Sequence, residues 1–267
     1  MSPSMDWGLE NRLRRILKPP HGRTVMLAVD HGYFLGPTSG LEKPATTIVP
    51  LLRYADSLML TRGVLRTSVP ADSDVPIVLR VSGGASILRE LSHEGLTVAM
   101  EDAVRVNAAA VTMSIFVGAE GERETLLNLA KLVDAGLRCG MPVLAVTAVG
   151  KEMTRDARYL ALCCRIAAEI GAHFVKTYYC EGFEEVVGST PVPLIVAGGK
   201  KIPEREAIRL AWNAVHSGAA GVDMGRNIFQ SDGPVGMIRA VRAVVHDGAD
   251  VGDAVAIYER EASRAGR

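Results

Sequence analysis

The sequence predicts a (β/α)8 TIM barrel, and three observations support that prediction. Roughly eight short apolar runs of strand length recur along the 267 residues. Most of these runs are followed by a segment with helical periodicity, which is the alternation expected of a parallel barrel. The runs are also almost continuously apolar, as in residues 26–29 and 194–197, and this is typical of parallel strands covered on both faces. An antiparallel sandwich would alternate polar and apolar residues more strongly.

The apolar runs are the candidate strands of the barrel. They lie at about residues 24–30, 57–61, 76–81, 110–116, 142–148, 173–179, 193–198 and 221–225. The least defined part of the chain is 82–109, which follows the third run. Within it, residues 96–100 are a candidate short extra strand, and the helix expected there is weakly marked.

Two helices in the second half of the chain are the most clearly marked. Apolar side chains recur at steps of three and four residues from Tyr159 to Ile170, and Gly171 then favours a helix C-terminus. Pro203 and Glu204 open another helix, because proline and acidic side chains are both favoured in a first helical turn. Each of these helices follows a candidate strand, as the barrel requires.

The composition of the chain and the order of its residue types indicate its domain organisation and exclude several kinds of partner. No linker or low-complexity segment divides the chain, so we expect an N-terminal extension over 1–22 and one catalytic barrel domain over 23–267. With 30 basic and 30 acidic residues, the charge balance suggests neither a nucleic-acid partner nor an anionic membrane surface. The N-terminus lacks the order of a signal peptide and no apolar run spans a membrane, so we expect a cytoplasmic protein. The spacing of the four cysteines and six histidines implies no metal site.

Lys176 is the most informative residue, because it is a charged side chain inside the apolar run 173–179. Removing an ammonium group from water costs several kcal/mol unless the group is paired or its pKa falls. A neutral lysine amine can condense with a ketone to form a Schiff base, which accepts the electrons of a breaking carbon–carbon bond. The alternative is a lysine near a strand end whose ammonium group extends into water.

The carboxyl ends of barrel strands carry the active site in this fold, so the residues that close each run are the candidates. Asp30 and His31 close the first run and form a candidate acid/base pair. A buried Asp30 beside Lys176 would also influence the protonation of the amine. The alternative is that Asp30 caps a turn and His31 is a surface residue of the loop.

Two glycine turns close the seventh and eighth runs and suggest a phosphate site. Gly198 and Gly199 precede Lys200, and Gly225 precedes Arg226. Glycine lets the backbone N–H groups approach an anion, while arginine offers a charge-assisted fork to phosphate oxygens. Loops after strands seven and eight often bind phosphate in barrels. The alternative is that the glycines only make tight turns; Lys200, in a polar loop, is expected to be solvated and to attract phosphate.

Five motifs occur in order along the chain. They are residues 6–8 (DWG), 27–34 (LAVDHGYF), 176–179 (KTYY), 197–201 (AGGKK) and 221–230 (GVDMGRNIFQ). Together they resemble the class I aldolase superfamily, the DeoC and archaeal-type fructose-bisphosphate aldolase branch of (β/α)8 barrels. Within it, the pattern is most similar to the Lsr-type thiolases of autoinducer-2 degradation.

The resemblance implies roles for the candidate residues. Lys176 forms the Schiff base, Asp30 and His31 assist proton transfer, and the loops after strands seven and eight hold a substrate phosphate. It also implies a phosphorylated dione as substrate, coenzyme A (CoA) as co-substrate without a bound cofactor, and a ring-like homo-oligomer. No motif for CoA binding is recognisable in the sequence.

One departure from the sugar aldolases favours the thiolase. Those aldolases carry a tyrosine at the end of strand five, where this chain reads AVTAVG over residues 145–150. Thiolysis does not need a base at that position, although Tyr178 or His31 could replace the tyrosine. A fructose-bisphosphate or related sugar-phosphate aldolase is therefore the alternative. A non-catalytic phosphosugar-binding barrel is a third interpretation, against which the buried lysine argues.

Overall fold

The computed structural model describes residues 6–148 and 154–265. Eight parallel strands close into a barrel in the order β1-β10-β9-β8-β7-β6-β3-β2. The barrel strands are β1 (Thr24–Ala28), β2 (Ser57–Thr61), β3 (Ile77–Arg80), β6 (Ala110–Ile115), β7 (Val143–Thr147), β8 (Phe174–Thr177), β9 (Leu194–Ala197) and β10 (Gly221–Met224). Two short strands, β4 (Ser82–Gly83) and β5 (Gly95–Leu96), form a separate antiparallel pair.

Helices surround the barrel. They are α1 (Trp7–Ile16), α2 (Gly32–Leu35), α3 (Pro44–Ile48), α4 (Arg62–Ser68), α5 (Met100–Arg105), α6 (Glu122–Leu137), α7 (Ala157–Ile170), α8 (Phe183–Ser189), α9 (Glu204–His216), α10 (Arg226–Phe229), α11 (Pro234–Arg242) and α12 (Val251–Ala265). A 3-10 helix (Val49–Tyr54) precedes β2, and a π-helix (Ala243–Asp247) follows α11. None of the helices within 6–148 and 154–265 is long and apolar enough to cross a membrane.

The predicted (β/α)8 barrel is confirmed, and all eight predicted runs contain a barrel strand. Helix α7 ends as the pattern indicates, because Gly171 adopts a left-handed conformation with φ of 110° that a side chain would disfavour. Helix α9 begins with Pro203 at its N-cap and with Glu204 and Glu206 in its first turn. Local sequence therefore placed these elements correctly.

The segment after β3 differs from the expectation. The extra strand predicted over 96–100 is limited to the last residue of β5, and α5 begins at Met100. Glu101 and Asp102 lie in the first turn of α5, where acidic side chains stabilise the helix dipole. The antiparallel pair β4–β5 lies at the carboxyl end of β3, because Arg80 and Ser82 are only two residues apart.

Apolar side chains fill the barrel and close its amino-terminal end. Met26, Phe174 and Ile195 are buried in one cluster with Ile16 and Leu17, at the end of α1. A buried aliphatic side chain contributes about 1.5–3 kcal/mol, so α1 stabilises the barrel it covers. The domain boundary between residues 22 and 23 stays a prediction. The four cysteines are free thiols, and the neighbours Cys163 and Cys164 are both buried.

Candidate active site

A cavity of about 610 Å³ opens at the carboxyl ends of the strands. All eight residues predicted for the site line it, namely Asp30, His31, Lys176, Gly198, Gly199, Lys200, Gly225 and Arg226. These residues follow or belong to β1, β8, β9 and β10, which are adjacent in the barrel order. Parallel strands bring their carboxyl ends to one rim, and this explains why residues so distant in sequence meet here.

Lys176 points into the cavity from β8 and is paired with a carboxylate. Its Nζ lies 2.6 Å from Oδ2 of Asp223, a side chain of β10 with no exposed surface. Lys176 itself is only 9% exposed, so its ammonium group does not extend into bulk water. Burial raises the pKa of Asp223 to about 6, and the attraction of Lys176 opposes part of that rise. A carboxyl group with this pKa is suited to exchange a proton with the amine near neutral pH.

Asp223 was missed as a functional residue. Asp223 is the carboxylate paired directly with the amine, whereas Asp30 Oδ2 accepts a hydrogen bond from Nε of Arg80 at 3.0 Å and forms an ion pair with its Nη2 at 2.9 Å. Arg80 was missed as well, although the sequence marks both residues by their charge. Arg80 and Asp223 are charged residues inside apolar strands, as Lys176 is, and the same criterion would have selected them.

Asp30 is fully buried and stays ionised in this environment. Burial alone would raise its pKa, but Arg80 first, then Lys176 and His31, outweigh burial and hold the pKa of Asp30 below its ordinary value. The interpretation of Asp30 as a simple turn cap is therefore incomplete. Its charge is balanced across the cavity wall by a permanently protonated guanidinium group.

His31 lies against the loop after β10. Its ring packs edge-on against Phe229 at 5.9 Å between centroids, and its Nδ1 is buried without a hydrogen-bond partner among the described residues. Burial lowers the pKa of His31 to about 4, although Asp30 opposes this change. The imidazole is therefore neutral at physiological pH and can accept a proton. The alternative of a surface loop residue is wrong, because His31 lines the cavity.

The two glycine turns are held together by Asn227. Its Nδ2 donates to the carbonyl of Gly198 at 2.6 Å, and its Oδ1 accepts from the backbone N–H of Ile202 at 2.9 Å. Asn227 is fully buried, so the loops after β9 and β10 form one unit. Sequence reasoning missed this residue, since only the folded chain brings residues 198 and 227 together.

A side chain at position 225 would not fit. A Cβ atom there would lie 2.2 Å from the carbonyl oxygen of Ala28 and 2.6 Å from Cε1 of His31. Arg226 follows this glycine. Its Nε atom is buried, and none of the described residues accepts a hydrogen bond from it. Lys200 is exposed, as predicted. The result is a rim with backbone N–H groups, one guanidinium and one solvated ammonium group, which is suitable for an anion.

No tyrosine lies in the described part of the end of β7. Thr147 is buried there and its Oγ1 hydrogen-bonds Oγ1 of Thr177 at 2.8 Å, while residues 149 and 150 lie outside the described residues. Tyr178 lines the cavity nearby, with the guanidinium carbon of Arg155 3.7 Å from its ring centroid. His31 and Tyr178, the two residues that the sequence suggests in place of that tyrosine, therefore both line the cavity.

Two named proteins are similar to this chain over most of its length. A 3-hydroxy-5-phosphonooxypentane-2,4-dione thiolase of Klebsiella pneumoniae is 58% identical over 97% of this chain and 88% of its own length. The protein of the same name from Escherichia coli K12 is 54% identical over 97% of this chain and 89% of its own length. Both proteins carry the name of an enzyme.

Solved structures show the same barrel. A crystal structure of an archaeal fructose 1,6-bisphosphate aldolase superposes with a TM-score of 0.80 at 26% identity, covering 90% of this chain and all of that one. A second structure, of an archaeal aldolase with its catalytic lysine covalently bound to the carbinolamine intermediate of the substrate, gives the same TM-score and identity, covering 89% of this chain and 99% of that one. The family model for DeoC/LacD family aldolases matches residues 24–231. This protein belongs to the DeoC/LacD aldolase family.

Proposed function

We propose that this enzyme cleaves 3-hydroxy-5-phosphonooxypentane-2,4-dione with CoA, giving acetyl-CoA and dihydroxyacetone phosphate. The observation that carries the proposal is the buried pair of Lys176 and Asp223 beside the glycine turns of β9 and β10. A nucleophilic amine next to an anion site is what a phosphorylated ketone requires. The names of the relatives at 54–58% identity support the choice of substrate.

In this proposal, Lys176 attacks the ketone next to the phosphate-bearing carbon to form a carbinolamine, which loses its hydroxyl group as water and becomes an iminium. Asp223 accepts the proton that the ammonium group must lose, because its Oδ2 lies 2.6 Å from Nζ. The CoA thiolate then attacks the acetyl carbonyl carbon. When the bond between the acetyl carbon and its neighbour breaks, the electron pair enters the iminium and leaves an enamine, so no unstabilised carbanion forms.

The remaining protons pass through the rim of the cavity. His31 is neutral and can take a proton from an incoming group, while Asp30 and Arg80 hold fixed opposite charges beside it. Protonation of the enamine and hydrolysis of the iminium release dihydroxyacetone phosphate and restore the lysine. We assign these proton transfers to Asp30 and His31 together, since both line the cavity.

The phosphate is assigned to Gly198, Gly199, Gly225 and Arg226, with Lys200 attracting it from the solvent side. Binding the phosphate at this rim places the ketone beside Lys176, because β8 and β9 are neighbours in the barrel. Such positioning lowers the barrier by removing translational freedom before the reaction.

A fructose-bisphosphate or related sugar-phosphate aldolase is the second candidate. The superposition with the archaeal aldolases at 26% identity favours it, and it would use the same enamine without CoA. The absence of a tyrosine among the described residues at the end of β7 favours the thiolase. A cytoplasmic location and a ring-like homo-oligomer stay predictions.

The test is incubation of the purified protein with the phosphorylated dione, with and without CoA. We expect acetyl-CoA and dihydroxyacetone phosphate in equal amounts, and only when CoA is present. Cleavage of fructose 1,6-bisphosphate without turnover of the dione would reassign the protein to the sugar aldolases. Borohydride treatment with dihydroxyacetone phosphate should label Lys176 covalently, and a lack of label would contradict the Schiff base itself.

A further inference from the structure

Arg80 is a buried cation on the wall of the cavity. It is 4% exposed, belongs to β3 and lines the same cavity as Lys176. Burial lowers its pKa, but Tyr33, Asp30 and Glu94 outweigh burial and raise the pKa of Arg80 above its ordinary value. The group is therefore a permanent positive charge on the wall of the cavity that Lys176 also lines.

The barrel order places Arg80 opposite the glycine turns. From β9 to β3 the ring passes through β8, β7 and β6, so β9 and β3 are four steps apart in a ring of eight. For a substrate with its phosphate after β9 and β10 and its ketone at Lys176, the same cavity continues to Arg80 on β3 and has room there for the remaining carbons. In the proposed substrate, those carbons are the acetyl group.

Arg80 retains a donor for that group. A guanidinium carries five N–H groups. Nε donates to Asp30 and Nη2 forms an ion pair with the same carboxylate oxygen, while Nη1 donates to Ser114 at 2.9 Å and to Ser82 at 3.4 Å. These contacts use at most four of the five N–H groups, so at least one N–H of Nη2 is left for another acceptor.

Glu94 holds the arginine in place. It is 2% exposed, and its carboxylate accepts from the hydroxyl of Tyr33 at 2.5 Å and from that of Ser82 at 2.7 Å. Tyr33 in turn lies over the guanidinium, with 5.0 Å between its ring centroid and Cζ of Arg80. Glu94 reaches this position because β5 pairs with β4 over the mouth of the barrel.

From this arrangement we infer that Arg80 binds the acyl carbonyl oxygen and that Glu94 positions it. The inference rests on the proposed function and names the subsite for the end of the substrate that carries no phosphate. When the thiolate forms its bond to the acyl carbon, the carbonyl electron pair moves to oxygen and Arg80 stabilises that oxyanion. Return of the pair breaks the carbon–carbon bond, and the bonding electrons pass to the iminium at Lys176. The thiol proton finally resides on the released ketone.

The experiment separates the acyl subsite from Schiff-base formation. We would measure kcat for thiolysis of the dione and the rate of borohydride trapping of dihydroxyacetone phosphate, which has no acyl group. In Arg80→Lys we expect kcat to fall by about 10²–10³, while the trapping rate stays within roughly threefold of wild type. Unchanged kcat, or equal loss of kcat and trapping, would overturn the role of Arg80.

Glu94 supplies the second variant, which is needed if Arg80→Lys does not fold. Glu94→Ala should lower kcat with little change in KM, and Glu94→Gln should restore much of it, because an amide can still accept from Tyr33 and donate to Ser82. Glu120→Ala is the matched control, since its carboxylate is 74% exposed. Equal kcat in Glu94→Ala and wild type would contradict the positioning role. A wild type that traps dihydroxyacetone phosphate but does not cleave the dione would refute the proposed function itself.

Discussion

Nζ of Lys176 lies 2.6 Å from Oδ2 of Asp223, across the intervening strand β9. Both side chains are almost completely buried. Breaking a buried ion pair by removing one partner leaves an uncompensated charge and typically costs about 3–5 kcal/mol. The pair therefore influences the reactivity of the lysine. Variants that test this role must also avoid leaving an uncompensated buried charge.

Replacing the lysine should abolish covalent chemistry and leave the fold intact. Lys176→Met keeps the length of the side chain, and the buried Asp223 can become protonated once its partner is absent. We expect no borohydride label and no turnover, with circular dichroism like that of wild type. Lys200→Met is the control, because Lys200 lines the same cavity but is exposed; it should retain the label. Turnover in Lys176→Met would contradict the assignment.

The rate should depend on pH through Asp223. Its pKa is raised to about 6, so it is protonated below that pH and cannot accept a proton from Lys176. We expect kcat/KM to rise as pH increases through about 6. His31, with a pKa of about 4, is neutral over this range and adds no second step. Asp223→Asn should lower the rate and remove the step near pH 6, and persistence of that step in a pH profile would exclude Asp223 as its source.

Position 225 should not tolerate a methyl group. In Gly225→Ala, the Cβ atom would meet the Ala28 carbonyl at 2.2 Å and His31 at 2.6 Å. Relief of this overlap must displace the loop or the imidazole, so we expect a cost of about 1–3 kcal/mol in the free energy of unfolding together with reduced activity. Gly32→Ala has no atom within 4 Å of its new Cβ and serves as the control. Equal urea midpoints for the two variants would contradict the steric argument.

Loss of the arginine at the glycine turns should weaken binding of phosphorylated substrates. A hydrogen bond to a charged group contributes about 1.5–3 kcal/mol, so Arg226→Ala should raise KM about 10- to 100-fold. We expect a smaller change in kcat, because Arg226 does not contact Lys176. An exposed arginine, Arg209, which is paired with Glu206 at 3.6 Å, supplies the control Arg209→Ala. An unchanged KM in Arg226→Ala would remove this residue from the phosphate site.

The opposite end of the barrel should affect stability alone. Asp56 precedes β2, is 5% exposed, and accepts from Val25 N–H, Arg242 and His246 at 2.6–2.8 Å. Asp56→Ala should lower the free energy of unfolding by about 3–5 kcal/mol without changing kcat.

The contribution of Asp56 to stability should also depend on pH. Burial opposes ionisation, but the hydrogen bonds from His246, Arg242 and Val25 hold the pKa of Asp56 below its ordinary value. Its contribution is thus present above the ordinary pKa of about 4 and is lost as the pH falls through the lower folded value.

Some residues of the candidate site were predicted from the sequence and others were not, and their positions in the chain explain the difference. Lys176, His31 and the glycine turns were found because each lies at a strand end that local sequence marks. Arg80, Glu94 and Asp223 were missed as functional residues, although Asp223 belongs to the motif 221–230 that carries the family resemblance. Glu94 lies in the segment whose elements were least defined, and its two partners come from different strand ends.

The eight strands, and the strand ends at which chemistry can occur, are predictable from local sequence. Both follow from short-range properties, because apolar periodicity defines a strand and the chain direction defines its carboxyl end. The pairs of charges that meet, Asp223 with Lys176 and Arg80 with Asp30, become visible only in the folded barrel. Closure of the barrel and the register between neighbouring strands set these distances, and neither is encoded in any single segment. The pairing of buried charges is a property of the whole ring.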